Sequence, residues 1–152
     1  MSKTKTRTFR CIECGVGTVR PIARVGRRQR YKMMELVLPA GVKVPTCDKC
    51  GVEYLSESSA AAEDAALEPL YRRELRRRAK EAIERLMPYV DERDLEQLMG
   101  LSRGYLSRLR TGQRDPSADL VALMTLLARN PRQRVVELRR SWEATIGGKP
   151  DA

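Results

Sequence analysis

Four cysteines in two copies of one short motif, CIECG at 11–15 and CDKCG at 47–51, are the residues whose types and spacing can do chemistry. Two residues between paired cysteines let both thiolates face one ion from a tight turn. The glycine after each pair frees the backbone so that amide N–H groups point at sulfur. Cys11, Cys14, Cys47 and Cys50 therefore read as one closed four-thiolate site holding a single structural Zn²⁺ per chain. A closed site leaves no position for a reacting water, so it serves the fold rather than a reaction. The same pattern also describes a rubredoxin-like iron site for electron transfer. That role calls for an apolar shell around the sulfurs, whereas Arg and Lys dominate the surrounding sequence.

The chain contains no histidine. Without an imidazole there is no general base of that kind and no Ser/His or Cys/His dyad, and the cysteines are assigned to metal, so an enzyme is not expected. Glu92 and Asp94 read as first-turn helix charges, and GVGTVR lacks the rest of a phosphate-cradling loop. Charge points elsewhere. Thirty Lys and Arg stand against twenty Asp and Glu, a formal +10, which favours polyanionic partners such as nucleic acid. The longest apolar run, LVALMTLLA at 120–128, is too short to cross a bilayer, and MSKTKTRTFR lacks the apolar segment of a signal peptide. The expectation is a cytoplasmic protein with no membrane partner, a setting in which paired CxxC motifs bind metal more readily than they form disulfides.

The elements that must position these residues divide by composition. An α+β protein is expected: a small zinc-bound β domain over residues 1–58, a linker helix region over 59–87, and an all-α helix-turn-helix domain over 88–146. The 32 residues between Cys14 and Cys47 must fold so as to return the second knuckle to the first. GTVRPIARV and QRYKMMELVLP supply two strands, with GRR at 26–28 as the turn of a hairpin. EPLYRRELRRRAKEAIERLM predicts a helix with Pro69 at its first position and Leu70, Tyr71, Leu75, Ala79, Ala82, Ile83 and Leu86 on one stripe. Its other face carries Arg72, Arg73, Arg76, Arg77, Arg78 and Lys80, which suits either phosphate contact or i,i+4 pairing with Glu74, Glu81 and Glu84.

DLEQLMGLSRGYLSRLRTGQRDPSADLVALMTLLA then predicts helix, turn, helix. Asp91 caps a helix carrying Leu95, Leu98 and Met99, and Gly100 breaks it. Ser102 caps a second helix carrying Leu106 and Leu109, which Gly112 ends. The second helix presents Arg103, Tyr105, Ser107, Arg108 and Arg110 outward, side chains able to hydrogen-bond bases or phosphates. With Ser102 and Arg114 they form the candidate DNA-binding set. Ser117 caps a third helix, and a fourth starts near Pro131 with Val135, Leu138 and Trp142 inward. One such reading helix covers too few base pairs for specificity, so a homodimer is expected, through the LMTLLARNP helix or the helix near Trp142.

LEQLMGLSRGYLSRLRTGQRDPSADL resembles the helix-turn-helix of the Xre/Cro repressor family, with its small-residue turn, its serine-bearing reading helix and its G-x-x-x-P-S exit. Two CxxCG knuckles ahead of such a module resemble the MqsA antitoxin family, also called the YgiT-type zinc-finger proteins, and the likeness runs from Cys11 to about Trp142. It implies a zinc domain that docks a ribonuclease toxin. It also implies a C-terminal domain that dimerises on a palindromic operator of double-stranded DNA and represses its own operon. Of the family's base-reading pair, an Asn and an Arg four residues apart, Arg108 matches the Arg and Gly104 stands at the Asn position, with Arg103 or Tyr105 as substitutes. The rival is a stand-alone zinc/helix-turn-helix regulator that has no toxin partner.

Overall fold

The computed structural model describes residues 8–143. The fold is α+β, a small antiparallel sheet followed by helices, in two compact units, one ending at Tyr71 and one beginning at Arg72. The strands are β1 (Phe9–Arg10), β2 (Thr18–Ala23), β3 (Arg28–Tyr31), β4 (Met34–Val37) and β5 (Lys43–Cys47); the helices are α1 (Glu57–Leu86), α2 (Glu92–Leu98), α3 (Tyr105–Arg110), α4 (Ala118–Leu127) and α5 (Pro131–Trp142). No helix among the described residues is long and apolar enough to cross a membrane.

In the first unit β2 is the central strand of a three-stranded antiparallel sheet ordered β1-β2-β5, and β3 pairs only with β4. The expected hairpin is therefore corrected. QRYKMMELVLP is not one strand but folds on itself at Lys32 and Met33, and GRR merely leads from β2 into this second, separate hairpin. The turn needs a left-handed residue, which Lys32 supplies at φ 52°. Its ammonium lies 4.3 Å from the Tyr71 ring centre and 3.0 Å from Glu68 Oε2, so contacts with α1 offset the backbone strain. The return of the second knuckle falls instead to β5, whose register places Cys47 opposite Val19.

Two small cores result. Cys11, Val19 and Cys47 form one, with Cys14, Val52 and Tyr54 against it; Leu38, Val44 and Leu67 form the other, with Tyr31, Leu36, Val42 and Leu70 against it. The second core is closed by α1, which begins well before Pro69 and carries that proline inside it. Its start is a reciprocal cap, in which the Ser59 N–H donates to Ser56 Oγ at 3.1 Å and the Ser56 N–H donates to Ser59 Oγ at 2.9 Å. Deeper in the same helix, Glu63 is 4% exposed and lies 3.3 Å from Arg27, which also donates to Glu53.

The second unit begins with the rest of α1, whose Leu75, Ala79, Ile83 and Leu86 are buried as their spacing predicts. Gly100 ends α2 in the left-handed conformation, with its N–H donated to the Gln97 carbonyl at 3.1 Å and that of Leu101 to the Glu96 carbonyl at 2.7 Å. Gly112 closes α3 in the same way, through the carbonyls of Leu109 and Arg108. Four expectations need correcting here. Ser117 holds the N-cap position of α4 without a capping bond from its side chain. Asp91 holds the N-cap position of α2 without a capping bond from its side chain. Ser102 does not cap α3, which starts at Tyr105 after a left-handed Gly104 and receives its cap from Glu96 instead. Trp142 is 67% exposed rather than inward, although its Nε1 donates to the Leu98 carbonyl at 2.9 Å.

Candidate metal centre and basic helical surface

Each CxxC pair sits in a tight turn. The N–H of Gly15 donates to the Cys11 carbonyl and that of Gly51 to the Cys47 carbonyl, and both glycines have positive φ, 65° and 74°. The turns leave amides free for sulfur: Gly17 donates to Cys14 Sγ at 3.3 Å and Lys49 to Cys47 Sγ at 3.4 Å. Across the two turns, Cys11 Sγ lies 3.7 Å from Cys50 Sγ, and Cys14 Sγ 3.7 Å from Cys47 Sγ. All four sulfurs fall within 4.8 Å of one another. A tetrahedral ion about 2.3 Å from each of four sulfurs requires them to be about 3.8 Å apart, so the donors fit one metal ion. All four cysteines are free of disulfides.

The electrostatics agree with a ligand set. The Cys14 amide, then the Tyr54 hydroxyl, hold the Cys11 thiol down to about 6. The amides of Gly17 and Val16 lower Cys14 as well. The Val52 amide pulls Cys50 in the same direction, but desolvation and the three neighbouring thiols outweigh it and push Cys50 up to about 12. Clustered thiols resist taking on several negative charges together, and a bound cation removes that resistance while releasing protons.

Two residues of this centre are ones that motif spacing does not reveal. Tyr54, whose hydroxyl is 3.2 Å from Cys11 Sγ, also accepts the Ile12 N–H and meets the Phe9 ring edge-on. Gly17 is buried, and a Cβ there would lie 2.3 Å from Cys47 Sγ and 2.9 Å from Lys49 Cβ. Its bare backbone is what admits the second knuckle. Gly17→Ala is accordingly expected to weaken metal binding about ten-fold or more, measured by competition with a chromogenic chelator. Unchanged affinity would show that the knuckles can part without loosening the site.

No protein-family model and no curated protein matches the chain.

The residues expected to meet DNA fall into three groups. Ser102 and Arg108 come together, with Arg108 Nη2 donating to Ser102 Oγ at 3.4 Å, and Tyr105 and Arg114 come together, with the guanidinium 4.5 Å from the ring centre. Arg103 is exposed and makes no hydrogen bond or ion pair among the described residues, and Ser107 is half-buried. Arg110, by contrast, is held by Glu92 of α2 at 2.7 Å. Below them Leu106 and Leu109 are buried, fixing which sides of α3 remain outside.

The arginine-rich face of α1 is laced by ion pairs. Arg77 meets Glu74 and Glu81, Arg78 meets Glu74, and Arg76 pairs with Asp115 in the segment after α3. Arg77 first, then Arg78, hold the Glu74 carboxyl down to about 2. These pairs are largely exposed and add little to stability. They leave a net basic surface whose charges are already oriented.

Proposed function

We propose that the protein is a DNA-binding transcriptional repressor in which α2 and α3 form a helix-turn-helix, α3 reads the major groove, and Cys11, Cys14, Cys47 and Cys50 hold one structural Zn²⁺. The observation that carries this reading is α3 itself. A helix of six residues is fastened by two buried leucines and bordered by Ser102, Arg103, Tyr105, Arg108 and Arg114. Charge supports the assignment: residues 72–152 contain eighteen basic and twelve acidic side chains, against twelve and eight in residues 1–71. The α4 residues Leu123 and Leu126 are exposed, which supports a homodimer and hence a palindromic operator.

The likeness to MqsA-type antitoxins further suggests that the metal unit docks a ribonuclease toxin. Exposed Ile12 and Val16 on the first knuckle support a protein partner there, and a small neighbouring reading frame of ribonuclease type would favour this over a stand-alone regulator. Elemental analysis should give about one zinc per chain. Iron with visible thiolate absorption would move the protein to electron transfer.

The decisive measurement is fluorescence anisotropy on the duplex immediately upstream of the protein's own reading frame and on a random duplex, at several salt concentrations. Arg108→Ala should weaken the upstream duplex by roughly one to two orders of magnitude and leave random DNA nearly unchanged, because a guanine contact is lost while phosphate contacts remain. An equal loss on both duplexes would remove α3 as the reading helix.

A further inference from the structure

The α2 residue Glu96 is 3% exposed, a carboxylate buried in a helical unit. Among the described residues no cation pairs with it; its partners are backbone amides. Oε2 accepts the Gly104 N–H at 2.9 Å and Oε1 accepts the Leu106 N–H at 2.9 Å. These are donors at the start of α3, which no side chain of its own satisfies. The main chain of Glu96 joins in, since its carbonyl accepts the Leu101 N–H at 2.7 Å. One residue of α2 thus grips the connection at Leu101, at Gly104 and at Leu106. Gly104 meets this grip with φ 74°, a conformation that residues bearing a side chain rarely adopt.

Such a clamp does more than hold two helices together. A helix of six residues has little rigidity of its own, so its rotation about its axis is set by what seizes it. Leu106 and Leu109 fix the buried side, but apolar contacts are non-directional and tolerate slippage. Two charge-assisted hydrogen bonds from one buried carboxylate are directional and do not.

We propose that Glu96 is the positioning residue of α3, a carboxylate clamp from α2 that fixes the angle at which the reading side chains are presented. Its consequence for DNA rests on the repressor reading, whereas the clamp itself does not. Glu96→Gln keeps the size of the side chain but sets an NH₂ group against one of the two amide donors, so that one hydrogen bond is lost.

The test combines amide hydrogen exchange by NMR with anisotropy on the upstream and random duplexes, in the full chain. Glu96→Gln should speed exchange at Gly104 or Leu106 by about ten-fold relative to the α4 core, and should lower the preference for upstream over random DNA by about ten-fold. Binding to random DNA should change little, a pattern that general loss of stability would not produce. Should Glu96→Gln fail to fold, the wild-type chain decides, because through-hydrogen-bond scalar couplings must link the Gly104 and Leu106 amide nitrogens to the Glu96 carboxyl carbon. Wild-type exchange at both amides in the variant, or the absence of those couplings in the wild-type chain, overturns the clamp. Faster exchange with full DNA preference overturns its positioning role. Arg108→Ala, measured alongside, separates the two ideas: if it too leaves the preference intact, the repressor reading fails and the amide data alone judge Glu96.

Discussion

Removing the metal, or replacing Cys47 by Ser, is expected to unfold the chain as far as Pro69 and no further. The first core consists of Cys11, Val19 and Cys47, two of them candidate metal ligands, so without an ion it becomes a handful of apolar atoms around crowded thiols. A structural zinc contributes on the order of 10 kcal/mol, comparable to the whole stability of a small domain. The second core shares β5 with the first and includes Leu67 of α1, so it goes with it. Residues 57–68 then form a free, alanine-rich helical segment, too short to persist in water. At Pro69 the situation changes, since a proline inside a helix costs about 3 kcal/mol but is well tolerated in the first turn. The shortened helix starting there keeps Leu75, Ile83 and Leu86 in the second unit's core. Hydrogen exchange with and without a strong chelator checks this. Amides of 57–68 should lose protection while those of 75–86 keep it, with a matching partial loss of helical far-UV signal. Full protection of 57–68 in chelator would show that the ion is not structural, and loss through to Leu86 would show that Pro69 is no barrier.

That helix also shows where the sequence stopped being legible. Pro69 reads locally as a helix start, and its interior position makes sense only once Leu67, Leu70 and Tyr71 have a core to bury against. The cysteine cluster was legible because both knuckles are local motifs, each complete within five residues. The route between them was not. No Gly, Asn or Asp marks the turn at Lys32, and its left-handed conformation depends on Glu68 and Tyr71, far along the chain. Gly17 looked like an ordinary turn glycine until β5 brought Cys47 against it. The caps failed for a related reason. Serine and aspartate before a helix are strong local signals, but α3 takes its cap from a carboxylate eight residues upstream on another helix, inside a stretch that reads only as an amphipathic stripe. What the sequence carried plainly was period and composition; what it hid were the contacts made between elements.

Leu106→Ala should produce the largest loss of stability available from one side chain of α3. Leu106 is fully buried, and Leu109, 6% exposed, is the other buried residue of this six-residue helix. Truncating a buried leucine costs about 2–5 kcal/mol through lost transfer energy and the cavity left behind. Against a total of roughly 5–15 kcal/mol for a domain, that is a large share. The helix cannot absorb it, because isolated helices of this length do not form in water and propensity offers no compensation. Arg103→Ala is the matched control: Arg103 is exposed and unpaired among the described residues, so its removal should change stability by less than about 0.5 kcal/mol. Urea denaturation followed by far-UV circular dichroism, on the metal-loaded chain, measures both. A cost below about 1 kcal/mol for Leu106→Ala would mean that α3 is not packed as a core element. The side chains bordering α3 would then sit on a helix with no fixed orientation. A cost in the expected range, with Arg103→Ala unchanged, would place stability on the inner side of α3 and leave its outer side free to be specified by whatever it binds.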